Sequence, residues 1–484
     1  MKVHLDAAVS AFRGTFAFGV VAAAAASALL AGCAGLSAPT QPARTAAAPA
    51  QWQAPLPHDG SVTDLARWWQ QFDDPLLVEL VTTAQAVSPT IASARSRIEQ
   101  ARASRVASGA ALAPTLDANA SASRGKQALT PDVIGNSYSA GLQASWELDL
   151  FGGNAAGRDA AQARLDGAQA GWHDARVSVA AETASSYLGL RACEAQLAQT
   201  TLDARSRAET SRLTELTTKA GFQSPANAAL ARASAAQAQA TLTQQRAACD
   251  IAIKGLVALT ALAEPELRSR LAAATGRIPQ PMQFNVRDVP AEVLAQRPDV
   301  FSAAREVIAA SADVTQADAQ RLPRITLAGN IGPARFETSA GNLNGTLWSV
   351  GPLAISLPLF DGGRRRANAD AARARYDEAV AVYQGRIRTA VREVEEALVT
   401  LQSTDERRGS AQTASDDFET SYRATEARYK GGLASLFELE DARRTAVQAQ
   451  SALIDLRRER VAAWIALYRA VGGGWSAGDM SASN

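Results

Sequence analysis

Histidine is nearly missing from this chain, with three in 484 residues. Beyond residue 33 only His58 and His173 remain. No clustered metal ligands, phosphate-binding glycine loop or nucleophile elbow accompanies them, so the usual routes to catalysis lack their parts. Carboxylates are plentiful, but they alternate with arginines in the manner of solvated helix faces. Neither an enzyme nor a cofactor is expected. Excess charge is missing too: 49 basic residues face 48 acidic ones, which leaves no electrostatic footprint for nucleic acid. Aromatics make up 6% although hydrophobic residues make up 47%, so alanine carries much of the apolar share. Alanine-rich, charge-mixed sequence favours long helices packed closely. Past residue 33 no stretch reaches the ~20 apolar residues of a spanning helix. If such a chain crosses a membrane, it has to use strands.

What is present begins with a targeting segment. Lys2 and Arg13 supply a positive region, Phe16 to Leu30 is apolar, and Leu30-Ala31-Gly32-Cys33 closes it. This is the three-part layout of a secretory signal. The closing tetrapeptide resembles the lipobox of bacterial lipoproteins. That resemblance implies removal of residues 1–32 and lipid on Cys33; the alternatives are a plain signal peptide or a retained apolar helix. Ala34, where an aspartate would argue otherwise, points by analogy to the outer membrane. Residues 33–60 then read as the lipidated cysteine and a flexible Ala/Pro/Gln/Thr tether. The other two cysteines, Cys193 and Cys249, are equidistant from Gly221 in a helix–helix turn, Ala220 to Pro225. Residues equidistant from such a turn face each other on antiparallel helices. In an oxidising compartment they form a disulfide or remain two buried thiols.

From residue 61 the chain repeats itself once. Ala113-Pro114 recurs as Leu322-Pro323, Leu150-Phe151-Gly152-Gly153 as Leu359-Phe360-Asp361-Gly362-Gly363, and Lys219-Ala220-Gly221-Phe222 as Lys430-Gly431-Gly432-Leu433. A nearly constant shift indicates a duplicated unit. Repeat 1, residues 61–277, predicts helix 75–112, strands 115–124 and 137–150, long helix 154–219 and helix 225–262. Repeat 2, residues 278–474, predicts helix 298–321, strands 324–336 and 346–360, long helix 364–430 and helix 434–471. Residues 475–484 form a tail. The strands alternate strictly, as Leu116, Ala118, Ala120 and Ala122 do against Asp117, Asn119, Ser121 and Ser123. The last strand changes phase near Pro352, which predicts a bulge or kink. The helices have coiled-coil-like stripes, for example Ala446, Ala449, Leu453, Leu456, Ala463, Leu467 and Ala470, with Arg460 the single exception. Each long helix would run roughly 100 Å, with Gly157, Gly167, Gly171, Gly189, Gly385 and Gly409 as places to bend or break.

Four amphipathic strands facing lipid must close into a barrel, and the smallest have about eight strands. Several chains must contribute; a trimer supplies twelve. Rods of this length, packed around an axis, would extend the lumen. The alternative is a soluble sandwich with a solid coiled coil.

The motifs then become specific. Trp68-Trp69, Phe72-Asp73-Asp74-Pro75-Leu76, Glu182 to Arg191, Gln296-Arg297-Pro298-Asp299-Val300 and Leu357-Pro358-Leu359-Phe360-Asp361-Gly362-Gly363 together resemble the TolC-like outer-membrane factor family, in its lipoprotein, NodT-like branch. The resemblance implies a mixed α and β membrane protein. It would be a homotrimer with a twelve-stranded outer-membrane barrel, a twelve-helix periplasmic barrel and a mixed belt around its middle. It implies an efflux exit duct for small toxic compounds or drugs, working with a periplasmic adaptor and an inner-membrane transporter. A type I protein secretion duct and a pore-less coiled-coil lipoprotein are the alternatives.

The resemblance also implies a gate at the periplasmic helix tips. Phe437 and Asp441 share a helix face, which by resemblance meets the axis as an apolar plug and a ring of carboxylates. Arg444 is the natural counter-ion, with Glu438 and Glu440 adding negative charge. The tips carrying Gly221, Phe222, Gly431 and Gly432 would dock the adaptor. Arg364-Arg365-Arg366 would meet outer-membrane lipid phosphates or stay solvated. Trp146, Trp348 and Tyr138 would form aromatic girdles or protomer contacts.

Overall fold

The structure is a computed structural model. It describes residues 52–54, 65–127, 130–281, 294, 297–339 and 341–475. The signal segment, Cys33, most of the tether and residues 476–484 lie outside the described residues.

The described helices are α1 (Pro75–Val87), α2 (Pro89–Ala110), α3 (Gly153–Lys219), α4 (Pro225–Thr260), α5 (Glu264–Leu271), α6 (Pro298–Ala319), α7 (Arg364–Lys430) and α8 (Leu436–Ala470). The strands are β1 (Thr115–Gln127), β2 (Thr130–Leu148), β3 (Arg324–Thr338) and β4 (Gly341–Ser356), in one antiparallel sheet of order β1-β2-β3-β4. Both halves share the sequence of helix, two strands, 67-residue helix, turn and return helix; the first adds a second helix before its strands and α5 after its return helix. The long helices pass through their internal glycines without a break.

Several boundaries differ from those read in the sequence. The helix expected over 75–112 is two helices bent by 46° at Ser88. Pro89 forces Ser88 into extended backbone (ψ 123°), and the Ser88 hydroxyl then caps α2 by accepting from Ile91 N. The helix expected to end at 262 ends at Thr260. Ala261 turns the chain (φ 54°), and α5 follows as a separate element. The strands are longer than expected at their hairpin ends; β2 has 19 residues, roughly 65 Å. Of the residues expected to form a tether, 52–54 are described, and they dock on the body. Trp52 is buried, and the Gln53 and Ala54 N–H groups donate to the Glu395 carboxylate at 2.6 and 2.8 Å. Trp475, assigned to the tail, is buried against Phe301.

One core dominates, midway along the rods. Trp68 stacks on Tyr468 at 5.9 Å and meets Trp464 and Phe72. Around them lie Leu77, Leu80, Leu190, Leu256, Leu398 and Leu401. Burial pushes the Tyr468 phenol up to about 12, so it stays neutral in this core. The motifs of the family resemblance pin this belt. Asp74 caps α1 and accepts from the Tyr187 hydroxyl at 2.7 Å. Tyr187 in turn accepts from Arg191, whose Nη1 reaches Glu194 and the Leu271 carbonyl that ends α5. Arg297 does the same in the second half. It is bidentate to Asp299, bonds Glu393 at 2.8 Å, and donates to the Ala470 carbonyl that ends α8 at 2.8 Å. Burial pushes the Asp299 carboxyl up, but the hydrogen bonds and charge of Arg297 outweigh it and leave it below its usual range. Its contribution to stability is present at neutral pH and is lost as pH falls through that lowered value.

Candidate duct wall and gate

The sheet separates two chemistries. Register places Leu116, Ala144, Gly329 and Val350 in one row across the four strands. Ala118, Leu142, Ile331 and Trp348 form the next row, across all four. With them on the same face stand Tyr138, Trp146, Leu327, Leu353 and Ile355, all in phase with their partners. This face is apolar and largely uncovered: Trp348 is 72% exposed and Val350 82%. The other face is polar. Asn119 donates to Gln143 at 2.8 Å, and Ser121 meets Ser139 and Ser123 meets Ser137 at 2.8 and 2.9 Å.

The phase change near Pro352 is a bulge. Leu327 pairs with Leu353 and Gly329 with Val350, so Gly351 and Pro352 together oppose Ala328. The extra residue returns Leu353 and Ile355 to the face of Trp348 and Val350. Gly332 is required where β2 and β3 come closest. A Cβ there would lie 2.0 Å from the Ala140 carbonyl oxygen, and neighbouring Pro333 has no N–H for the ladder. The outer edges of β1 and β4 pair with no strand among the described residues.

At the other end of the rods both turns have one design. Phe222 N donates to Thr217 O and Gly221 N to Thr218 O; Leu433 N donates to Arg428 O and Gly432 N to Tyr429 O. Both are Schellman turns, and Gly221 (φ 82°) and Gly432 (φ 73°) hold the left-handed position that favours glycine. Gly431 does not (φ −83°). Ser224 and Ser435 cap the returning helices, and Ser435 forms a capping box with Glu438. Phe222 and Leu433 occupy equivalent places and are 83% and 74% exposed. Leu433 carries no signal of its own in the sequence beyond the repeat, which pairs it with Phe222.

The start of α8 has two faces. Phe437, Asp441 and Arg444 lie on the exposed one, with Asp441 paired to Arg444. The inward one carries Leu436, Leu439, Glu440 and Arg443. Here the structure corrects the reading of Glu440 as extra negative charge beside Asp441. Its carboxylate is turned inward and accepts from Arg207 at 2.6 Å, Ser234 at 2.8 Å and Arg443 at 2.5 Å. Arg443 is almost fully buried. It also bonds Ser206 and Thr210 at 3.1 and 2.9 Å and lies over the Tyr422 ring. Arg207 is held in turn by Asp203. This knot joins α3, α4, α7 and α8 just behind the tips. Glu438 serves its capping box, and Arg365 pairs with Asp361 at the start of α7.

Cys193 and Cys249 are bonded to each other across α3 and α4, with Cα atoms 5.6 Å apart, where the hairpin enters the belt. The bond closes 56 residues of sequence, so replacing both cysteines with serine is expected to destabilise this hairpin by about 2–4 kcal/mol. Comparing melting with and without reductant, for parent and variant, checks this. A reductant effect of equal size on both would show that the bond contributes nothing.

An exposed apolar sheet face, a polar opposite face and paired long hairpins match one family. The family model described as outer membrane efflux protein matches the chain twice, over residues 80–262 and 289–473. The chain belongs to the outer membrane efflux protein family. The pyoverdine export outer membrane protein OpmQ of Pseudomonas putida is 30% identical over 454 residues, covering 91% of this chain and 95% of the relative. The solvent efflux pump outer membrane protein SrpC of Pseudomonas putida is 30% identical over 464 residues, covering 93% and 97%. The solved structure of the outer-membrane channel OprN is similar with a TM-score of 0.79 at 30% identity, covering 89% of this chain and 98% of that one. This family fold uses the two hairpins as rods and the four-stranded sheet as a wall segment.

Proposed function

We propose that the protein is the exit duct of a tripartite efflux pump: a homotrimer anchored in the outer membrane by lipid on Cys33, passing small toxic compounds from periplasm to exterior. The observation that carries this reading is the sheet. Four strands with one exposed apolar face and one polar face cannot close alone, and lipid tolerates no open edge. Three copies give twelve strands, with serine, asparagine and glutamine toward water. Tyr138 and Trp146 lie eight residues apart on β2, roughly 27 Å along the strand and about 20 Å in height at the usual tilt of a barrel strand, most of an apolar band between aromatic girdles. The relatives export pyoverdine and solvents respectively, which supports a duct that leaves the choice of cargo to an inner-membrane transporter, reached through a periplasmic adaptor. The exposed apolar pair Phe222 and Leu433 makes the tips the adaptor's docking points, with Gly221, Gly431 and Gly432 allowing close approach. The exposed face of Phe437, Asp441 and Arg444 is the gate.

The test is electrical. Purified protein in a planar bilayer should show small, rarely open channels, and Phe437→Ala with Asp441→Ala should raise conductance several-fold. A parent protein that is monomeric and passes no current would overturn the duct. An open trimer insensitive to both substitutions would overturn only the gate.

A further inference from the structure

Arg460 breaks the rule of its own helix. The apolar stripe of α8 runs from Ala446 to Ala470, and Arg460 stands where a leucine would complete it. Its side chain is 24% exposed, yet the nearest carboxylate, Asp405, lies 3.8 Å away and is shared with Arg408 at 3.5 Å. The more deeply buried arginines fare better: Arg191, Arg297 and Arg443 each have a carboxylate within 2.8 Å. Burial, with the Arg408 charge, presses the Arg460 pKa down, the direction expected of a cation short of counter-charge.

Arg460 lines a cavity of about 480 Å³ between α7, α8 and the segment Gly276–Ile278 that follows α5. Leu453 and Leu456 are its buried apolar lining, with Ile278 half-buried beside them. Its exposed lining carries Arg277, Arg408 and Arg457. Arg457 donates to the neutral Gln412 amide at 3.0 Å. Arg277 pairs with no carboxylate among the described residues. Four guanidiniums thus line one cavity, and Asp405 is the one carboxylate that two of them, Arg408 and Arg460, share.

We propose that this cavity binds an organic anion: a carboxylate or phosphate held by Arg460 with its neighbouring arginines, on a small apolar body that covers Leu453, Leu456 and Ile278. The planar guanidinium fork suits both head groups, and the volume lies in the range of small-molecule sites. A half-buried cation in an apolar stripe weakens the fold, and such local conflicts are expected at functional or strained sites. The site lies on the rods, away from strands and tips, and stands apart from the duct reading.

Isothermal titration of the detergent-solubilised full chain tests it, with phthalate as the carboxylate probe and phenyl phosphate as the phosphate probe. Benzylammonium and inorganic phosphate serve as comparators. At least one aromatic anion should saturate one site per chain, inorganic phosphate should bind at least tenfold more weakly, and benzylammonium should not bind. The tighter of the two anions identifies the head group. Arg460→Leu should abolish binding and raise the melting temperature of the ligand-free protein, because it completes the stripe. Arg277→Gln should weaken binding about tenfold without changing melting. The proposal fails if neither aromatic anion saturates or if Arg460→Leu binds like the parent. It also fails if Arg460→Leu lowers the melting temperature while Arg277→Gln binds normally, since the cluster would then be structural.

Discussion

Replacing Glu440 with alanine is expected to destabilise the tip by about 3–5 kcal/mol and to raise the conductance of the duct. The carboxylate sits between Arg207 and Arg443, and Arg443 has almost no access to water. Removing one partner of a buried ion pair leaves the other charge uncompensated, which costs far more than the pair itself contributes. The exposed Asp441–Arg444 pair behaves differently, because an ion pair in water contributes about 0–1 kcal/mol. Asp441→Ala should therefore alter conductance with little change in melting, whereas Glu440→Ala should alter both. The combined variant Glu440→Leu, Arg443→Met and Arg207→Met separates charge from packing. It removes every member of the triad, so it should recover most of the lost stability and keep the hairpins joined. Melting of the trimer and single-channel recording, run on all three variants, decide the matter. A Glu440→Ala protein within 0.5 kcal/mol of the parent would mean that the knot does not hold the tips.

The knot was the least legible part of the sequence. Periodicity counts charged residues as outward-facing, and Leu436, Leu439, Glu440 and Arg443 mix both kinds on one inward stripe. The partners that bury the charges come from three other helices, and two of them, Arg207 and Ser234, lie more than 200 residues from Glu440. The docking of Trp52 is hidden for a related reason: a single aromatic in Ala/Pro-rich surroundings carries no period, and Glu395, which accepts from the nearby Ala54 N–H, lies 341 residues from it. Ser88-Pro89 does not stand out as a break because helical composition continues on both sides of it. What could be read was whatever local chemistry decides alone. The two tip turns follow from glycine at one position and a capping serine three residues later. The bulge follows from apolar residues that move from even to odd numbers at Pro352. The long helices follow from 60-odd residues without proline.

Leu142 and Gln143 are neighbours on β2, and arginine at the two positions is expected to have opposite consequences. Leu142 lies on the apolar face between Ala118 and Ile331, four residues from both Tyr138 and Trp146. If those aromatics mark the two interfaces, Leu142 is near mid-membrane, where an arginine costs about 2–4 kcal/mol. The Leu142→Arg chain should accumulate outside the outer-membrane fraction or form trimers that melt earlier. Gln143 lies on the polar face between Asp117 and Asn330 and accepts from Asn119 at 2.8 Å. An arginine there meets water and a carboxylate, so the Gln143→Arg trimer should assemble at parent levels. Three added positive charges in one ring, set near Asp117, should shift the reversal potential in a salt gradient toward anion preference. Membrane fractionation gives the first result and bilayer recording the second. The pairing of outcomes matters more than either alone, because adjacent residues on a strand differ only in the face they occupy. Equal tolerance of both substitutions would mean that this sheet does not stand between lipid and water, and a reversed pattern would turn the wall inside out.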